Sequence, residues 1–376
     1  MKKITYIFGD GRISKLQKAN EYAKDFYYGY HLINQNNNFY TKILELHPFS
    51  ESSKKHSKLL ISLDKFLNKL TFLQFQFHEI FKKQNYKVVK YSDILIFSTD
   101  RLAISYIPIL KFKKNIKSIV IVMGLLKDFP NLKSYQKVLR PYLLNLFIKS
   151  VDKFIFLGKP EYEFAKKKYP KFQNKFEFIP FSIDYAFWSN EEIKFKKNVN
   201  SNQILFIGND GNRNYEFVKE LPKHLKNFKF TFITEQIQKI ENLTNVKLID
   251  GNWSKDLIND IKIRDYYRES FLTILPIKNT IQPSGQSVTL QSLAVGTPVL
   301  ISNFDGFWDL SLFLDNQNIF LVDNFDINNW KDKIEYIYNN QFKRELVSVN
   351  GKKLVKHNYN LENFTSKLYK IIEEII

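Results

Sequence analysis

ILFIGNDGNRNYEFV, residues 204–218, is the stretch that decides the fold of this 376-residue chain. Its first residues are β-branched, aliphatic or aromatic, which predicts a buried strand, and Gly208 then opens a polar turn. The residues after the turn have helical spacing. A strand, a glycine turn and a helix in this order are typical of a Rossmann-like unit with parallel strands.

The rest of the second half repeats this plan. Short apolar runs alternate with helix-length amphipathic stretches, which is the pattern of a parallel sheet covered by helices. Strands are predicted over residues 204–208, 230–234, 246–249, 273–276, 298–302 and 319–322, and helices over residues 214–225, 254–270, 286–294, 327–339 and 361–376.

The first half has the same alternation and its own opening strand. Residues 4–8 are apolar and stop at Gly9, Asp10 and Gly11, which form a tight-turn sequence. Further strands are predicted over residues 40–46, 94–97, 119–123 and 154–157, with helical spacing in residues 15–30 and one long helix over residues 59–81.

The chain length indicates two domains, because a single hydrophobic core stops growing at roughly 250 to 300 residues. We predict an N-terminal Rossmann-like domain over residues 1–184, a polar linker over 185–202 and a C-terminal Rossmann-like domain over 203–360. Ligands of such sheets bind beyond the carboxyl ends of the strands. Function is therefore expected in a cleft across which the two domains face each other.

The composition excludes several classes of protein. Hydrophobic residues make up 44% of the chain, which argues against disorder. Cysteine is absent, which excludes disulfides, thiol nucleophiles and cysteine-bound zinc and fits a reducing compartment. The N-terminal apolar run is too short for a signal peptide, and the apolar run at residues 119–126 is too short to span a membrane. We expect a cytoplasmic protein.

The positive charge lies in the first half of the chain. Residues 1–200 contain 36 Lys and Arg against 17 Asp and Glu, whereas residues 201–376 contain 21 of each. Such a one-sided excess favours a polyanionic or membrane-surface partner. A lysine-rich codon bias is the alternative, although it would not explain the neutral second half.

Four segments from about residue 154 onwards resemble the group 1 (family 4) GT-B glycosyltransferases. The first is IPFSIDYAFW, residues 179–188, which is similar to the interdomain signature of that family, with Ser182 where glycine is usual. Asp184 in this segment is interpreted as a helix cap and not as a catalyst.

The second segment is the opening stretch, which resembles the donor-phosphate loop of the family. A glycine at 208 lets the backbone approach a ligand, with Asn209 beside it, and amides at a helix start attract a diphosphate. The resemblance implies that Arg213 neutralises the departing nucleoside diphosphate and is the catalytic residue. Arg213, Asn214 and Tyr215 stand where one subgroup has Arg-Asp-Tyr or Arg-Asp-Trp. The alternative is a surface arginine after a turn.

The third segment, PSGQSVTLQSLAVGTPVLIS at residues 283–302, resembles the donor-site block of the family. Many members have two glutamates eight positions apart, one for the donor sugar and one for the ribose; here Pro283 and Gln291 occupy these places. A subgroup reads Ser-Gly-Gln, and Gln286 is then expected to take over part of the sugar contact. The donor-binding residues implied by this block are Ser284, Gly285, Gln286, Ser287, Val288 and Gln291.

The fourth segment, residues 327–376, resembles the closing helices of the family, of which the last, residues 361–376, packs back toward the N-terminal domain. Upstream of it, Gly251 ends a predicted strand where the family places the nucleotide base. A turn would have a glycine there in any case.

The first half resembles the family only in outline, and its acceptor-side or cleft residues are chosen from strand ends. Gly124 follows a strand at the place where many members carry a histidine, and none of the six histidines is assigned a catalytic role. The candidates are Gly9, Asp10, Gly11, Arg12, Asp100, Arg101 and Gly124.

The resemblance implies transfer of a sugar from a nucleoside diphosphate donor to a glycan or lipid-linked acceptor, in cell-surface polysaccharide or glycolipid synthesis and with retained configuration. No cluster of Asp, Glu and His is seen in the sequence, so neither a metal nor another cofactor is expected. Residues 132–150 mix Tyr, Leu and Phe with Lys and Arg, as interfacial helices do, although the same face would also fit against a sheet. An anionic inner membrane surface is thus a candidate partner.

Two other classes stay open. A sugar-nucleotide epimerase would need acid and base side chains in the cleft, which the sequence does not show. A degenerate, non-catalytic protein that binds polyanions would fit the basic first half, but no nucleic-acid motif appears, and nucleic acid is not expected as a partner.

Overall fold

The computed structural model describes residues 1–18, 20–47, 58–112, 115–127, 129, 131–190, 201–240, 243–253 and 257–376. These residues form two compact units. The first comprises Met1–Lys18, Phe26–Ile179 and Phe364–Ile376, and the second comprises Ala19–Asp25 and Pro180–Asn363. The domain ranges given above stay a prediction. Within the described residues, no helix is long and apolar enough to cross a bilayer.

The first unit contains a parallel six-stranded sheet with the strand order β2-β1-β3-β4-β5-β6. Side chains of the central strands are buried because helices cover the sheet, and all four residues of β3 are buried. The strands are β1 (Lys2–Gly9), β2 (Phe39–Leu46), β3 (Ile94–Phe97), β4 (Lys117–Val122), β5 (Lys153–Phe156) and β6 (Phe176–Phe178). The helices are α1 (Arg12–Gln17), α2 (Tyr30–Asn34), α3 (Lys58–Thr71), α4 (Phe77–Ile80), α5 (Lys83–Lys90), α6 (Asp100–Ala103), α7 (Ile107–Phe112), α8 (Ser134–Ser150) and α9 (Lys159–Lys168).

The second unit contains another parallel six-stranded sheet, with the order β12-β11-β10-β7-β8-β9. Its strands are β7 (Gln203–Ile207), β8 (Lys229–Ile233), β9 (Val246–Ile249), β10 (Leu272–Leu275), β11 (Val299–Ser302) and β12 (Phe320–Val322). Its helices are α10 (Tyr185–Ser189), α11 (Tyr215–His224), α12 (Asp260–Glu269), α13 (Gln286–Val295), α14 (Ile327–Asn339) and α15 (Gln341–Asn358), and α16 (Leu361–Ile375) closes the chain. The predicted α/β class with two Rossmann-like units is confirmed.

The strand predictions agree with the structure, but two helix predictions are wrong. The long helix predicted over residues 59–81 ends at Thr71, and the next residue, Phe72, has a left-handed φ of +56°. Side chains hold this break: the Asn68 amide bonds the backbone of Phe75, and the Asp64 carboxylate accepts from the N–H of Phe77 at 2.8 Å. Such side-chain bonds to the backbone compete with continuation of a helix.

The helix predicted within residues 15–30 is also wrong, because the chain leaves the first unit after Lys18 and returns at Phe26. In the second unit, the Ala23 N–H donates to Asp260 at 2.9 Å. Part of two other predicted elements falls outside the described residues, namely 191–200 of the linker and 254–256 of a helix. Of the described parts of these two elements, Tyr185–Ser189 form α10 and Asp260–Glu269 form α12.

The last helix, α16, packs on the first unit from Phe364 onwards. The ring of Tyr369 lies 5.7 Å from that of Phe39, and Glu374 pairs with Lys153 at 3.1 Å. Gly29 approaches the same helix closely: a Cβ atom there would lie 2.6 Å from Oγ1 of Thr365, and its φ is +78°. The close contact and the positive φ both require glycine.

Gly29→Ala is expected to destabilise the first unit by about 1–3 kcal/mol, because it forces a strained backbone and a clash with Thr365. Gly9→Ala is the matched control, since a Cβ at Gly9 meets no atom within 4 Å. Urea unfolding followed by circular dichroism would measure both. Equal stability of the two variants would show that α16 does not depend on this contact.

Candidate functional site

The carboxyl ends of β7 and β10 form the switch point of the second sheet, because the strand order reverses between these neighbours. The loops that follow them are bonded together. The N–H of Asn214 donates to the carbonyl of Pro276 at 2.9 Å, and the N–H of Lys278 donates to the carbonyl of Asn212 at 2.7 Å. The predicted phosphate loop and the predicted donor-site block therefore meet at this point.

Asn212 joins the two loops through its side chain. This residue was not among the predicted site residues. Its Nδ2 donates to Oγ of Ser284 at 2.7 Å, and both residues are buried. Asn214, two positions later, caps α11 by accepting from the N–H of Phe217 at 3.3 Å. The position of Asn212 inside the motif NDGNRN was the one available signal for it.

Gly285 precedes α13 with a φ of +81°, and no side chain caps this helix start. The first amides of a helix have no partner within the helix. Those of Gln286, Ser287 and Val288 therefore form, with the helix dipole, a positive region suited to a phosphate group. Ser284, Gly285, Gln286 and Val288 are buried, so this helix start is built into the unit.

Arg213 lies over Gly208 with its side chain only 3% exposed. A Cβ atom at position 208 would lie 2.6 Å from Nε of Arg213, so glycine makes room for the guanidinium. Its Nη1 lies 3.0 Å from Oδ2 of Asp210, but Nε and Nη1 are buried and make no hydrogen bond of good geometry. Because such donors are costly to bury without good hydrogen bonds, a group that accepts from them would stabilise this loop.

Asn209 and Gly251, both predicted donor-site residues, contact each other. The Asn209 amide donates to the carbonyl of Gly251 at 2.7 Å and accepts from Oγ1 of Thr234 and the N–H of Glu235. A Cβ at position 251 would lie 2.7 Å from the backbone nitrogen of Thr234. The Asn209 side chain thus holds the loop, and glycine at 251 permits the close approach.

Gln291 is buried, and each end of its amide makes a bond within the protein. Its Oε1 accepts from the hydroxyl of Tyr267 at 3.2 Å, and its Nε2 donates to Oδ2 of Asp25 at 2.9 Å. The resemblance implied that Gln291 contacts the ribose, and this contact stays a prediction. A ribose hydroxyl would have to share the Gln291 amide with Tyr267 and Asp25, or replace one of them. Pro283 is partly exposed and offers no polar side chain.

Asp25 enters the second unit from the excursion of the chain at residues 19–25, and no local pattern in the sequence indicated this. Its Oδ1 accepts from the N–H of Asp184 at 2.7 Å, and its Oδ2 accepts from Nε1 of Trp188 at 2.9 Å. Asp184 in turn accepts from the N–H of Phe187, so its interpretation as a helix cap is confirmed. Burial raises the pKa of the Asp25 carboxyl to about 7, while the bonds from Asp184 and Gln291 lower it.

In the first unit, the strand order reverses between β1 and β3. A cavity of about 320 Å³ opens there, and four of the seven candidates for the acceptor side line it: Gly9, Asp10, Arg12 and Arg101. The other walls are Phe26, Tyr28, Gln74, Gln76, Ser98, Thr99, Leu102 and Met123.

The remaining three candidates support this cavity without lining it. Gly11 begins α1 with a φ of +88°, and Gly124 follows β4 with a φ of +98°. Asp100 is buried, and its Oδ1 accepts from the N–H of Met123 at 2.7 Å. Burial raises the pKa of the Asp100 carboxyl, whereas the positive charge of Arg101 lowers it.

The structure brings together one Asp, Glu and His cluster that the sequence reading did not find. Ligand atoms of Asp10, Glu45 and His47 lie within 4.8 Å of one another. Nδ1 of His47 bonds Asp10 at 2.7 Å, and Glu45 already accepts from the N–H groups of Arg12 and Ile13. Asp10 is 35 positions before Glu45 and 37 before His47, and the three meet because β1 and β2 are neighbours. The prediction that the chain has no such cluster is therefore wrong.

The whole chain is similar in fold to solved glycosyltransferases. A glycosyltransferase from Rickettsia africae matches with a TM-score of 0.66 and 14% identity, over 100% of this chain and 98% of that chain. Sucrose-phosphate synthase from Thermosynechococcus elongatus matches with a TM-score of 0.70 and 14% identity, over 100% and 99%. HepE from Anabaena, in complex with UDP-glucose, matches with a TM-score of 0.63 and 11% identity, over 100% of both chains.

These matches confirm the predicted GT-B fold, in which two Rossmann-like domains make up the chain. At such low identities, the likeness shows the fold alone. No protein-family model and no curated protein matches the sequence.

The buried Asp25 carboxyl predicts a pH-dependent stability of the second unit. Its pKa is higher in the folded chain, at about 7, than the ordinary value of 3.8, so its stabilising contribution is present below the ordinary value and is lost as the pH rises through about 7. Asp25→Asn should remove this part of the pH dependence, at a cost of about 1–3 kcal/mol for a mismatched acceptor.

Tryptophan fluorescence during urea unfolding at a series of pH values would measure this, since all four tryptophans lie at or beyond position 188, within the second unit. Asp332→Asn, at an exposed position of α14, is the matched control. An unchanged pH dependence in Asp25→Asn would mean that Asp25 is ionised throughout this range.

Proposed function

We propose that this chain is a glycosyltransferase that takes a sugar from a nucleoside diphosphate donor bound by its second unit. The observation that carries the proposal is the buried Arg213 guanidinium with unmatched N–H groups. It lies in the loop that is bonded to the loop of Gly285, at the switch point of the sheet. The guanidinium of Arg213 and the N-terminus of α13 belong to these two bonded loops, and both favour a diphosphate over a neutral ligand.

The chemistry assigned to these residues is stabilisation of the leaving group. Negative charge develops on the diphosphate as the bond to the sugar breaks, and Arg213 with the first amides of α13 would neutralise it. The proposed reaction needs no divalent cation, because these groups take the role of one. We further propose retention of configuration, with the departing diphosphate accepting the proton of the attacking hydroxyl.

The nucleotide is proposed from the neighbours alone. The Anabaena HepE structure contains UDP-glucose, which makes UDP the first nucleotide to test. The acceptor is proposed to be a glycan or a lipid-linked glycan, in the synthesis of a cell-surface polysaccharide or glycolipid. The lack of cysteine agrees with a cytoplasmic enzyme.

Arg213→Ala should weaken UDP binding by about 10- to 100-fold, the loss expected when charge-assisted hydrogen bonds to a phosphate are removed. Isothermal titration calorimetry with UDP, GDP, CDP and ADP, in EDTA, would measure it. Arg213→Lys keeps the charge without the planar fork and should lose less.

Lys353→Ala, at an exposed position of α15, is the control and should bind as the unchanged protein does. Failure of the unchanged protein to bind any of the four nucleotides would refute a functional donor site and leave a degenerate transferase. Binding only after Mg²⁺ or Mn²⁺ is added would refute the proposed metal independence.

We also propose that α8 docks the first unit on an anionic membrane. One face of α8 is buried in the unit through residues such as Leu144, Phe147 and Ile148. This agrees with the alternative in which the apolar face packs within the protein. The opposite face leaves Val138 and Tyr142 exposed by 71% and 70%, beside the exposed Lys137. An apolar outer face among lysines suits the headgroup region of an anionic bilayer.

The double variant Val138→Ser and Tyr142→Ser should pellet less with vesicles that contain phosphatidylglycerol, and added NaCl should weaken the binding of the unchanged protein. The control is the pair Phe342→Ser and Val349→Ser, which removes equally exposed apolar side chains from α15 in the second unit. Binding that depends on neither salt nor α8 would contradict the docking surface.

A further inference from the structure

The cavity in the first unit has an excess of positive charge. Two arginines line it, Arg12 and Arg101, and the charge of Arg101 also acts on the buried carboxyl of Asp100. The guanidinium of Arg12 lies 5.0 Å from the centre of the Phe26 ring, which also lines the cavity. Arg101 is exposed at the start of α6.

The acids near the cavity do not cancel this charge. Asp10 is the one carboxylate in the lining, and it is bonded to the ring of His47 at 2.7 Å. Asp100 lies beneath the lining and is buried, with its Oδ1 bonded to the N–H of Met123. The lining thus contains two arginines and one carboxylate that already has a partner, while Glu45 and Asp100 lie outside the lining.

The rest of the lining suits hydroxyl groups and the faces of a sugar. Oε1 of Gln76 is buried and has no hydrogen-bond partner, so it can accept a hydrogen bond from a ligand hydroxyl. The hydroxyl of Ser98 belongs to the same wall, while Phe26 and Tyr28 provide aromatic surface. With about 320 Å³, the cavity is at the lower end of small-molecule sites, which run from ~300 to ~1,000 Å³.

From these observations we propose that the acceptor is a phosphorylated polyol or sugar, with its phosphate held by Arg12 and Arg101 and a hydroxyl bonded to Gln76. A neutral glycan would leave two guanidinium groups without a counter-charge, whereas a phosphate offers each of them oxygens in the fork geometry that arginine prefers. The inference rests on the proposed function, because it names the class of acceptor for the same transferase.

The test measures binding to the full chain by isothermal titration calorimetry, in the presence of saturating UDP. The probes are glucose, glucose 6-phosphate, fructose 6-phosphate and inorganic phosphate. A hexose phosphate is expected to bind at least about tenfold more tightly than glucose, and Arg12→Gln or Arg101→Gln should each remove about tenfold of that affinity. Lys87→Gln, an exposed lysine of α5 outside the lining, makes the same change in net charge and should have no effect.

A second arm distinguishes a free phosphate from a lipid-linked one. Phosphatidylcholine vesicles with and without phosphatidylinositol, whose headgroup is a phosphorylated polyol, are mixed with the unchanged protein, with Arg101→Gln and with the charge-retaining Arg101→Lys. Binding that requires phosphatidylinositol and Arg101, with weak binding of hexose phosphates, would assign the phosphate to a lipid headgroup. Binding of hexose phosphates alone would assign it to a soluble acceptor.

Two results would overturn the inference. One is equal affinity for glucose and its phosphate, and the other is phosphate binding that both arginine variants keep. The variants must still bind UDP and must keep the circular dichroism spectrum and the cooperative urea unfolding of the unchanged protein, which shows that both units are folded. A protein that binds UDP but prefers no phosphorylated probe refutes the acceptor class alone, whereas a protein that does not bind UDP refutes the proposed function.

Discussion

The reversal of strand order in each parallel sheet is the constraint on which both candidate sites depend. At the point of reversal, the chain leaves two neighbouring strands toward opposite faces of the sheet, and a crevice opens at their carboxyl ends. In the second unit this crevice lies between β7 and β10, and in the first it lies between β1 and β3. Bonds such as that from Asn212 to Ser284 then fix the loops on its rim.

Local patterns were sufficient to predict the described strands other than β6, but only some of the described helices. An apolar run between a turn and an amphipathic stretch has few other solutions, as residues 204–218 show. The break after Thr71 could not be predicted, because Asp64 and Asn68 lie inside the helix and the sequence does not show which backbone groups their side chains bond. Only the structure shows that they bond the backbone beyond the break.

The candidate sites divide in the same way. Arg213 and Gly285 could be proposed from the sequence because each lies in a short motif whose backbone geometry follows from glycine. Asp25 and Gln76 were not found, because their roles depend on partners that are distant in sequence or on a cavity wall. The cluster of Asp10, Glu45 and His47 was not predicted for the same reason, because its residues come from two adjacent strands and the loops after them.

Asp25 and Arg213 are both buried in the second unit, but their surroundings differ. Asp25 accepts hydrogen bonds from three N–H donors, which offset the cost of burying its carboxyl group. These bonds connect α10 to α13 through the Asp25 side chain. Arg213 is buried to the same degree, but two of its nitrogens have no bond of good geometry. A fold selected for stability alone would match or remove such donors. In the proposed function, a diphosphate would accept hydrogen bonds from these two nitrogens, in addition to the ion pair of Arg213 with Asp210.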